Sequence, residues 1–577
     1  MRLTLFIASM LLMFNTFASH LIGGEVTYEY VTGNQYKVKV TLYRDCNDCK
    51  LGNDGGGTSK ENCNNLKEAY IRTISDDCQN KNIGSITLTK TGFENITPLC
   101  DTSQSACGSN SSYAYGVEAH YYEGLIDFDT YSQYNGCAFH IFFSISERSD
   151  EITTLESEED NLYNYAYINP WKENVSSPSF VRTPKIFFNV NKPVYLSNHT
   201  TNESNDSIVY KWVKPLKAHN SFLPYKLGYS MGHFVSTSCP NGNPCTPDLE
   251  TYPPTGIYLN SLSGDFVFTP TSVNQFGTRV IAAEQWRTHN GTTYKAGEIR
   301  RDVLVVIINE DGNNSPEILT KENLDLCLNE KVELEIDSRD LHLSTNLSSK
   351  DTVKLSFKNL PTGMTVSYDT ISTAPFIKAL LHYKPTQVGI SSFQIIARDN
   401  HCPSYGESVK TVTINVHSRS EIDFSVDTAF CGNNVLKVNT NREASYFLRL
   451  SENQNILFED SFETGFSYQT DRSRDLSFDI FYADVYGCKD SVKLSHSTSG
   501  NQHIETALVN GETDLCTGDS LILSLSHNSF QLSQIQWKNQ TDYVDTLRTI
   551  AQNGFVNFSC TMTEDNLSWQ LSDSIAI

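Results

Sequence analysis

Gly228-Tyr229-Ser230-Met231-Gly232 matches the GxSxG pattern, in which a sharp strand-to-helix turn exposes a nucleophilic serine beside an oxyanion hole. That chemistry needs a helix after the serine. Thr237 to Pro247 is broken by Pro and Cys in a strand-like neighbourhood, so the match is expected to be a coincidence. Cys46-Asn47-Asp48-Cys49 has the spacing of a zinc or redox pair, yet no second CxxC lies at ribbon spacing and no strand-helix-strand pattern surrounds it. Structural disulfides are the expected use of these cysteines. The histidines show no HExxH or comparable ligand spacing, and nothing in the sequence brings two carboxylates together as glycoside hydrolysis requires.

Hard cations need several oxygen ligands converging from loops. Asp311 and Asn313 lie in the linker Asp311-Gly312-Asn313-Asn314-Ser315-Pro316, and the segment after it carries Asp337, Asp340, Asp399 and Asn400. These six are the candidate ligands for calcium, the one cofactor the sequence suggests. The alternative is a solvated turn held by Asx-type hydrogen bonds. Tyr121-Tyr122 and the alternating Tyr163, Tyr165 and Tyr167 offer a sugar-stacking face or, as the commoner use of such residues, sandwich core.

The elements that position these residues follow period two. Val26, Tyr28 and Tyr30 alternate with Thr27 and Glu29, a turn follows at Thr32-Gly33-Asn34-Gln35, and Tyr36, Val38, Val40 and Leu42 alternate again with Lys37, Lys39 and Thr41. Strand signals recur to the end, separated by Asn, Ser, Thr and Gly clusters, and no convincing amphipathic helix exceeds two turns. The expected fold class is all-β, with several β-sandwiches in series. An internal repeat supports this: Phe268-Thr269-Pro270-Thr271 leads to Val280-Ile281-Ala282-Ala283-Glu284, and Tyr383-Lys384-Pro385-Thr386 leads to Ile395-Ile396-Ala397-Arg398-Asp399 at a constant offset. Pro254-Thr255-Gly256 and Pro361-Thr362-Gly363 stand upstream of the two copies.

A chain of 577 residues exceeds one hydrophobic core, and 39% hydrophobic with 19% charged residues is a globular composition. The net charge of −23 repels phosphate backbones and anionic lipid heads, which argues against nucleic acid as a partner. Arg2 and the apolar run Leu3 to Phe14, followed by Ala18 and Ser19, read as a signal peptide over 1–19; no later segment is long enough to span a bilayer. The expected modules are 20–170 (Cys-rich), 171–310, 311–418, 419–498 and 499–577.

Export makes disulfides the default for the 15 cysteines. Within modules the expected pairs are Cys239 with Cys245, Cys327 with Cys402, Cys431 with Cys488, and Cys516 with Cys560. The first module holds seven, Cys46, Cys49, Cys63, Cys78, Cys100, Cys107 and Cys137, which cannot all pair internally.

Ser19-His20-Leu21-Ile22-Gly23-Gly24-Glu25-Val26, with Val40-Thr41-Leu42-Tyr43-Arg44-Asp45-Cys46, resembles the mature start of large exported Bacteroidota surface proteins of the PKD and gliding-motility-associated C-terminal-domain type. Gly228-Tyr229-Ser230, Pro254-Thr255-Gly256 and Gly297-Glu298-Ile299-Arg300-Arg301-Asp302 resemble the second module of the same proteins, which makes GYS a structural motif there. Asp399-Asn400-His401-Cys402-Pro403 closes a module resembling cadherin-like or immunoglobulin-like sandwiches, and the later Cys-paired modules resemble bacterial immunoglobulin-like repeats, so the resemblance implies tandem immunoglobulin-like/cadherin-like β-sandwich modules. The resemblance implies a non-enzymatic cell-surface role in adhesion, surface-layer or gliding-related contacts, toward an extracellular protein or polysaccharide. It also implies export through type IX secretion machinery that reads a sorting domain, whereas this sequence stops at Ile577 in a sandwich. A carbohydrate-binding array and a hydrolase with its site in the first module are the competing readings.

Overall fold

The computed structural model describes residues 21–576 apart from 47–65, 75–77, 109, 147, 150, 157–159, 173, 202–205, 311–312, 341–350, 370–375, 420–421, 428–433, 441–443, 464, 471–475, 497–502, 509–519, 527–534, 538–545, 551–554 and 565–566, and beyond residue 495 it describes backbone alone. The segment 1–19 expected as a signal peptide lies outside the described residues, as do Cys49, Cys63, Asp311, Cys431 and Cys516 and the side chain of Cys560. The fold is all-β. Among the described residues one 3-10 segment, Phe128–Tyr134, interrupts the strands.

Two compact units divide the chain. The first takes in residues up to 324 with 331–384 and 390–415; the second takes in 325–330, 385–389 and 416 onward. In the first, the expected hairpin forms from Leu21–Thr32 and Gln35–Asp45, with Val26 opposite Val40 and Tyr28 opposite Val38. Its apolar parity is sealed: Val26, Tyr36, Val38 and Val40 are at most 1% exposed, which makes it one wall of the core.

The boundary expected at residue 170 is not a boundary between sheets. Strand Thr292–Ile308 inserts between Leu162–Ile168 and Leu21–Thr32, pairing Glu298 with Tyr167 and Glu25 with Arg301, so residues from both expected modules share one 14-stranded sheet. Loop composition marked the segment near 170, but a β-ladder is made by distant strands and leaves no local signal. Gly23 shows the closeness of this insertion. It sits at φ +156, and a Cβ there would lie 2.1 Å from the Asp302 carbonyl oxygen.

A buried ion pair locks the same junction. The Arg148 guanidinium donates from Nη1 to Asp302 Oδ1 at 2.8 Å and from Nη2 to Oδ2 at 2.6 Å, and the Thr278 hydroxyl donates to Oδ1 at 3.0 Å. Asp302 is 1% exposed, so the bidentate geometry and the extra donor are what make its burial tolerable.

The sequence repeat is a repeat of structure. Gly256 and Gly363 adopt φ of +70 and +87 in turns that Pro254 and Pro361 open. Each turn leads to a short strand (Ile257–Leu259, Thr365–Tyr368), a second strand ending at the PT dipeptide (Asp265–Phe268, Phe376–Tyr383), a third (Phe276–His289, Gly389–Arg398) and a closing strand (Thr292–Ile308, Glu407–His417). Around the second copy two four-stranded sheets form. One runs Glu317–Leu319, Val332–Arg339, Phe376–Tyr383, Thr365–Tyr368; the other runs Asn323–Cys327, Glu407–His417, Gly389–Arg398, Lys354–Lys358. Ile336, Leu381, Phe393, Ile395, Val412 and Ile414 fill the space between them, each at most 1% exposed.

Residues 422–496 of the second unit make a three-stranded and a four-stranded sheet around Leu448, Leu450, Phe478 and Ile480, and two three-stranded sheets follow within 503–576.

Cys239 is bonded to Cys245, but the expected pair Cys327–Cys402 does not form. Cys327 bonds Cys488, and Cys402 bonds Cys100. The reason is strand length. The Leu328 amide donates to the His417 carbonyl, at the far end of the 11-residue strand Glu407–His417 from Cys402. At ~3.3 Å per residue that strand holds the two thiols roughly 30 Å apart, against a Cα separation under about 7 Å for a disulfide. Cys488 is thereby taken by Cys327 and is not available to Cys431. Cys46–Cys107 and Cys78–Cys137 close within the first expected module.

Candidate cation site

Register gathers the loop carboxylates at one end of the sandwich around the second repeat. Glu317 pairs with Arg339, which sets Asp340 beside the segment entering Glu317–Leu319, where Asn313 lies. In the facing sheet Lys354 pairs with Arg398, which sets Asp351 beside Asp399. Asp340, Asp399 and Asn313 are 2%, 5% and 6% exposed, an unusual burial for residues at loop ends.

Their hydrogen bonds are unevenly shared. Asp399 Oδ1 accepts from the backbone amides of His401 (3.0 Å) and Gly406 (2.8 Å), and its Oδ2 accepts from Asn313 Nδ2 (3.0 Å). Gly406 is required by this approach, since a Cβ would lie 2.3 Å from Asp399 Oδ2. Asp351 Oδ2 faces His401 Nδ1 at 3.4 Å. Asp340 is left: among the described residues, both its carboxylate oxygens, and Asn313 Oδ1, are buried with no hydrogen-bond partner. An unsatisfied buried carboxylate is costly, so these atoms need a proton or a cation.

The electrostatics agree. Burial, then the Asp399 and Asp351 carboxylates, push the Asp340 carboxyl up to about 7. Burial raises Asp399 as well, against the hydrogen bonds that stabilise its charge. Asn313, Asp340, Asp351 and Asp399 bring oxygen donors from four chain segments to one end of the sandwich, the donor type a hard divalent cation takes, but no three of the described carboxylates there place ligand atoms within 4.8 Å of one another.

Of the six residues expected as ligands, Asn313 bonds Asp399, and Asp340 lies near enough to feel the Asp399 charge. Asp337 points elsewhere: its cross-strand partner is Lys378, and the Lys378 ammonium lies 3.1 Å from Asp337 Oδ1. Asn400 turns its Oδ1 to the Thr352 amide at 2.8 Å, across to the neighbouring segment, while the Asx-type bond weighed as the alternative is the one Asp399 accepts from the His401 amide. Asp311 lies outside the described residues. Asp351 was missed by sequence reasoning, because its nearness to Asp399 comes from cross-strand register and has no counterpart in spacing.

Among the described residues Cys46, Cys107 and Glu118 do place ligand atoms within 4.8 Å of one another, but both sulfurs are spent in one disulfide and offer no thiolate to a metal. The GxSxG serine stands on a tight turn, where Ser230 and His233 exchange both backbone hydrogen bonds (3.0 and 2.9 Å). No helix follows among the described residues. His233 is 2% exposed, and burial holds its ring below the ordinary histidine range. Tyr122, Tyr163 and Tyr165 are core residues at 1%, 4% and 7% exposure, whereas Tyr121 lines an open cavity.

No protein-family model matches the chain. It is 20% identical over 286 residues to the serine-rich adhesin for platelets of Staphylococcus aureus strain USA300, an alignment covering 48% of this chain and 11% of the adhesin's length. Among solved structures it is similar to titin domains A168–A170 (10% identity, TM-score 0.21, 56% of this chain and 99% of that one). It is also similar to the human desmocollin-1 ectodomain (12% identity, TM-score 0.17, 91% and 96%). TM-scores this low carry no argument about this chain's arrangement.

Proposed function

We propose that this chain is a non-enzymatic, exported cell-surface protein that makes adhesive contacts through the surfaces of a β-sandwich array, with a calcium ion held by Asn313, Asp340, Asp351 and Asp399. The observation that carries the export reading is the set of five disulfides among the described residues, a usage that belongs to oxidising compartments. Among the described residues no helix is long and apolar enough to cross a membrane. The likeness to the platelet adhesin supports the adhesive part. Surface-layer or gliding-related contacts and a type IX export route belong to the same proposal and rest on the sequence resemblance alone.

The calcium part is carried by Asp340, whose two oxygens are buried without a partner among the described residues. When bound, the ion would supply positive charge to carboxylates that otherwise repel one another. The chain's own contribution is to hold those oxygens at strand ends of two facing sheets, so that binding braces the sandwich end.

The test is attachment. Labelled full chain is titrated onto intact cells and isolated cell envelopes, beside panels of esterase, protease and glycosidase substrates. Saturable attachment without turnover is expected. Turnover abolished by a single substitution would overturn the reading.

A further inference from the structure

We propose that the outer face of the first sheet carries a binding site for a neutral saccharide unit, in a cavity of about 380 Å³. The inference rests on the surface-contact reading and names the class of ligand that one part of the surface takes.

The cavity follows from strand parity. On Leu21–Thr32, Gln35–Asp45 and Val117–Asp127, Val26, Val38, Val40, Leu42 and Tyr122 face the core. The opposite parity therefore presents a second surface, and the register sets it out in rows. Arg301, Glu25, Thr41 and Tyr121 lie side by side across four strands, and Thr27, Lys39 and Glu123 form the next row. A strap over Ser179–Thr183 closes one side, where the Arg301 guanidinium stacks 3.9 Å from the Phe180 ring centroid. The edge position beside Tyr121 is Gly92, which has no side chain, and Thr91 in the bulge next to it lines the mouth of the cavity.

The chemistry selects the ligand. The volume falls in the ~300–1,000 Å³ range of small-molecule pockets. Its floor offers Thr27 and Thr41 hydroxyls that both donate and accept, the Lys39 ammonium as donor and the Glu123 carboxylate as acceptor. Its walls offer two partly exposed rings, Tyr121 and Phe180. Alternating donors and acceptors with a ring to stack on suit a polyhydroxylated ring.

Charge excludes an ionic ligand as the better fit, because the cations are already answered from within. Arg301 donates twice to Glu25, Lys39 lies 2.8 Å from Glu29, and Arg182 pairs with Glu407. Lys39 also faces Glu123 across the register. The tyrosine hydroxyl of Tyr121 donates to Glu94 Oε2 at 3.0 Å, which fixes its ring in place before any ligand arrives.

Saturation-transfer difference NMR and calorimetry on the full chain test this. The probes are methyl glucoside, galactoside and mannoside, N-acetylglucosamine, short neutral oligosaccharides, and glucuronic acid as the charged comparison. Binding of at least one neutral saccharide is expected, with a Kd on the order of millimolar for a single unit. Tyr121→Ala removes the ring, which also packs against the core, and Thr91→Trp fills the mouth from an exposed position; each should weaken binding by about tenfold or more, Thr91→Trp with an unchanged melting profile. No binding by any neutral probe, preference for glucuronic acid, or binding indifferent to both variants would overturn the inference. Attachment to cells that persists beside such a result leaves the surface-contact reading standing, so the two fail separately.

Discussion

Cys100 and Cys402 form a disulfide across 302 residues of sequence, and the bond ties a loop of the large sheet to the loop that carries Asp399. Around it the Cys100 amide donates to the Pro403 carbonyl at 3.0 Å, and the Ser404 hydroxyl donates to the Pro98 carbonyl at 3.0 Å. The loop that carries Asp399 of the proposed cation site is therefore braced covalently from outside its own sandwich. Peptide mapping under non-reducing conditions is expected to recover Cys100 linked to Cys402 and Cys327 linked to Cys488. Cys100→Ser should cost ~2–4 kcal/mol in urea unfolding, less than a free loop of this length would give because other disulfides already constrain the unfolded chain.

Asp340 makes stability depend on pH in a defined direction. Its folded value of about 7 lies above its unfolded value near 3.8, so between these limits the folded state binds more protons. Its contribution is fully present at low pH and is lost as the pH rises toward 7. Asp399, Asp351 and His401 face the same site, and Asp265, raised to about 6, titrates in the same direction elsewhere. The difference between the wild type and Asp340→Asn isolates the residue. In EGTA at pH 8 the variant should be more stable, by roughly 1–3 kcal/mol, and at pH 4 the two should melt alike.

Glu298 supplies the opposite slope. Lys295 and Arg300 lie 2.6 and 2.7 Å from its carboxylate oxygens, and against the opposing effect of burial they hold its carboxyl down at about 2. This stability is present above pH ~4.3 and is lost as the pH falls toward 2. Glu298→Gln should lose stability at pH 7 and flatten the acid limb of the melting curve, measured by thermal denaturation from pH 2 to 7.

Truncating the buried pair at the sheet junction should be costly. Asp302→Ala leaves Arg148 charged and sealed at 6% exposure, and a loss of about 3–5 kcal/mol in urea unfolding is expected. Gly23→Ala tests the same junction through the backbone. Its Cβ would meet the Asp302 carbonyl, so soluble yield and melting temperature should both fall while Gly33→Ala, where a Cβ meets nothing, stays milder.

Much of this architecture is visible in the chain itself, because strand alternation and the PT repeat are local. Tyr28, Val38 and Val40 fall in the core as their period demands, and Gly256 and Gly363 occupy equivalent turns. Ladder partners are not local. The insertion of Thr292–Ile308 beside Leu21–Thr32, the Cys100–Cys402 bond and the nearness of Asp351 to Asp399 all depend on which distant strands pair. Residue type alone separated neither Asp337, which answers Lys378, nor Asn400, which caps Thr352, from the residues that converge. Burial did: Asp340 is sealed and unpartnered, and Asp337 lies on a strand facing a lysine.

Calorimetric titration of calcium chloride into the EGTA-treated, desalted full chain at pH 7.5 tests the cation site most directly. The account predicts saturable binding at one site, a raised melting temperature in calcium, and loss of both in Asp340→Asn. A chain that takes up no calcium and melts at the same temperature in calcium and in EGTA would contradict it.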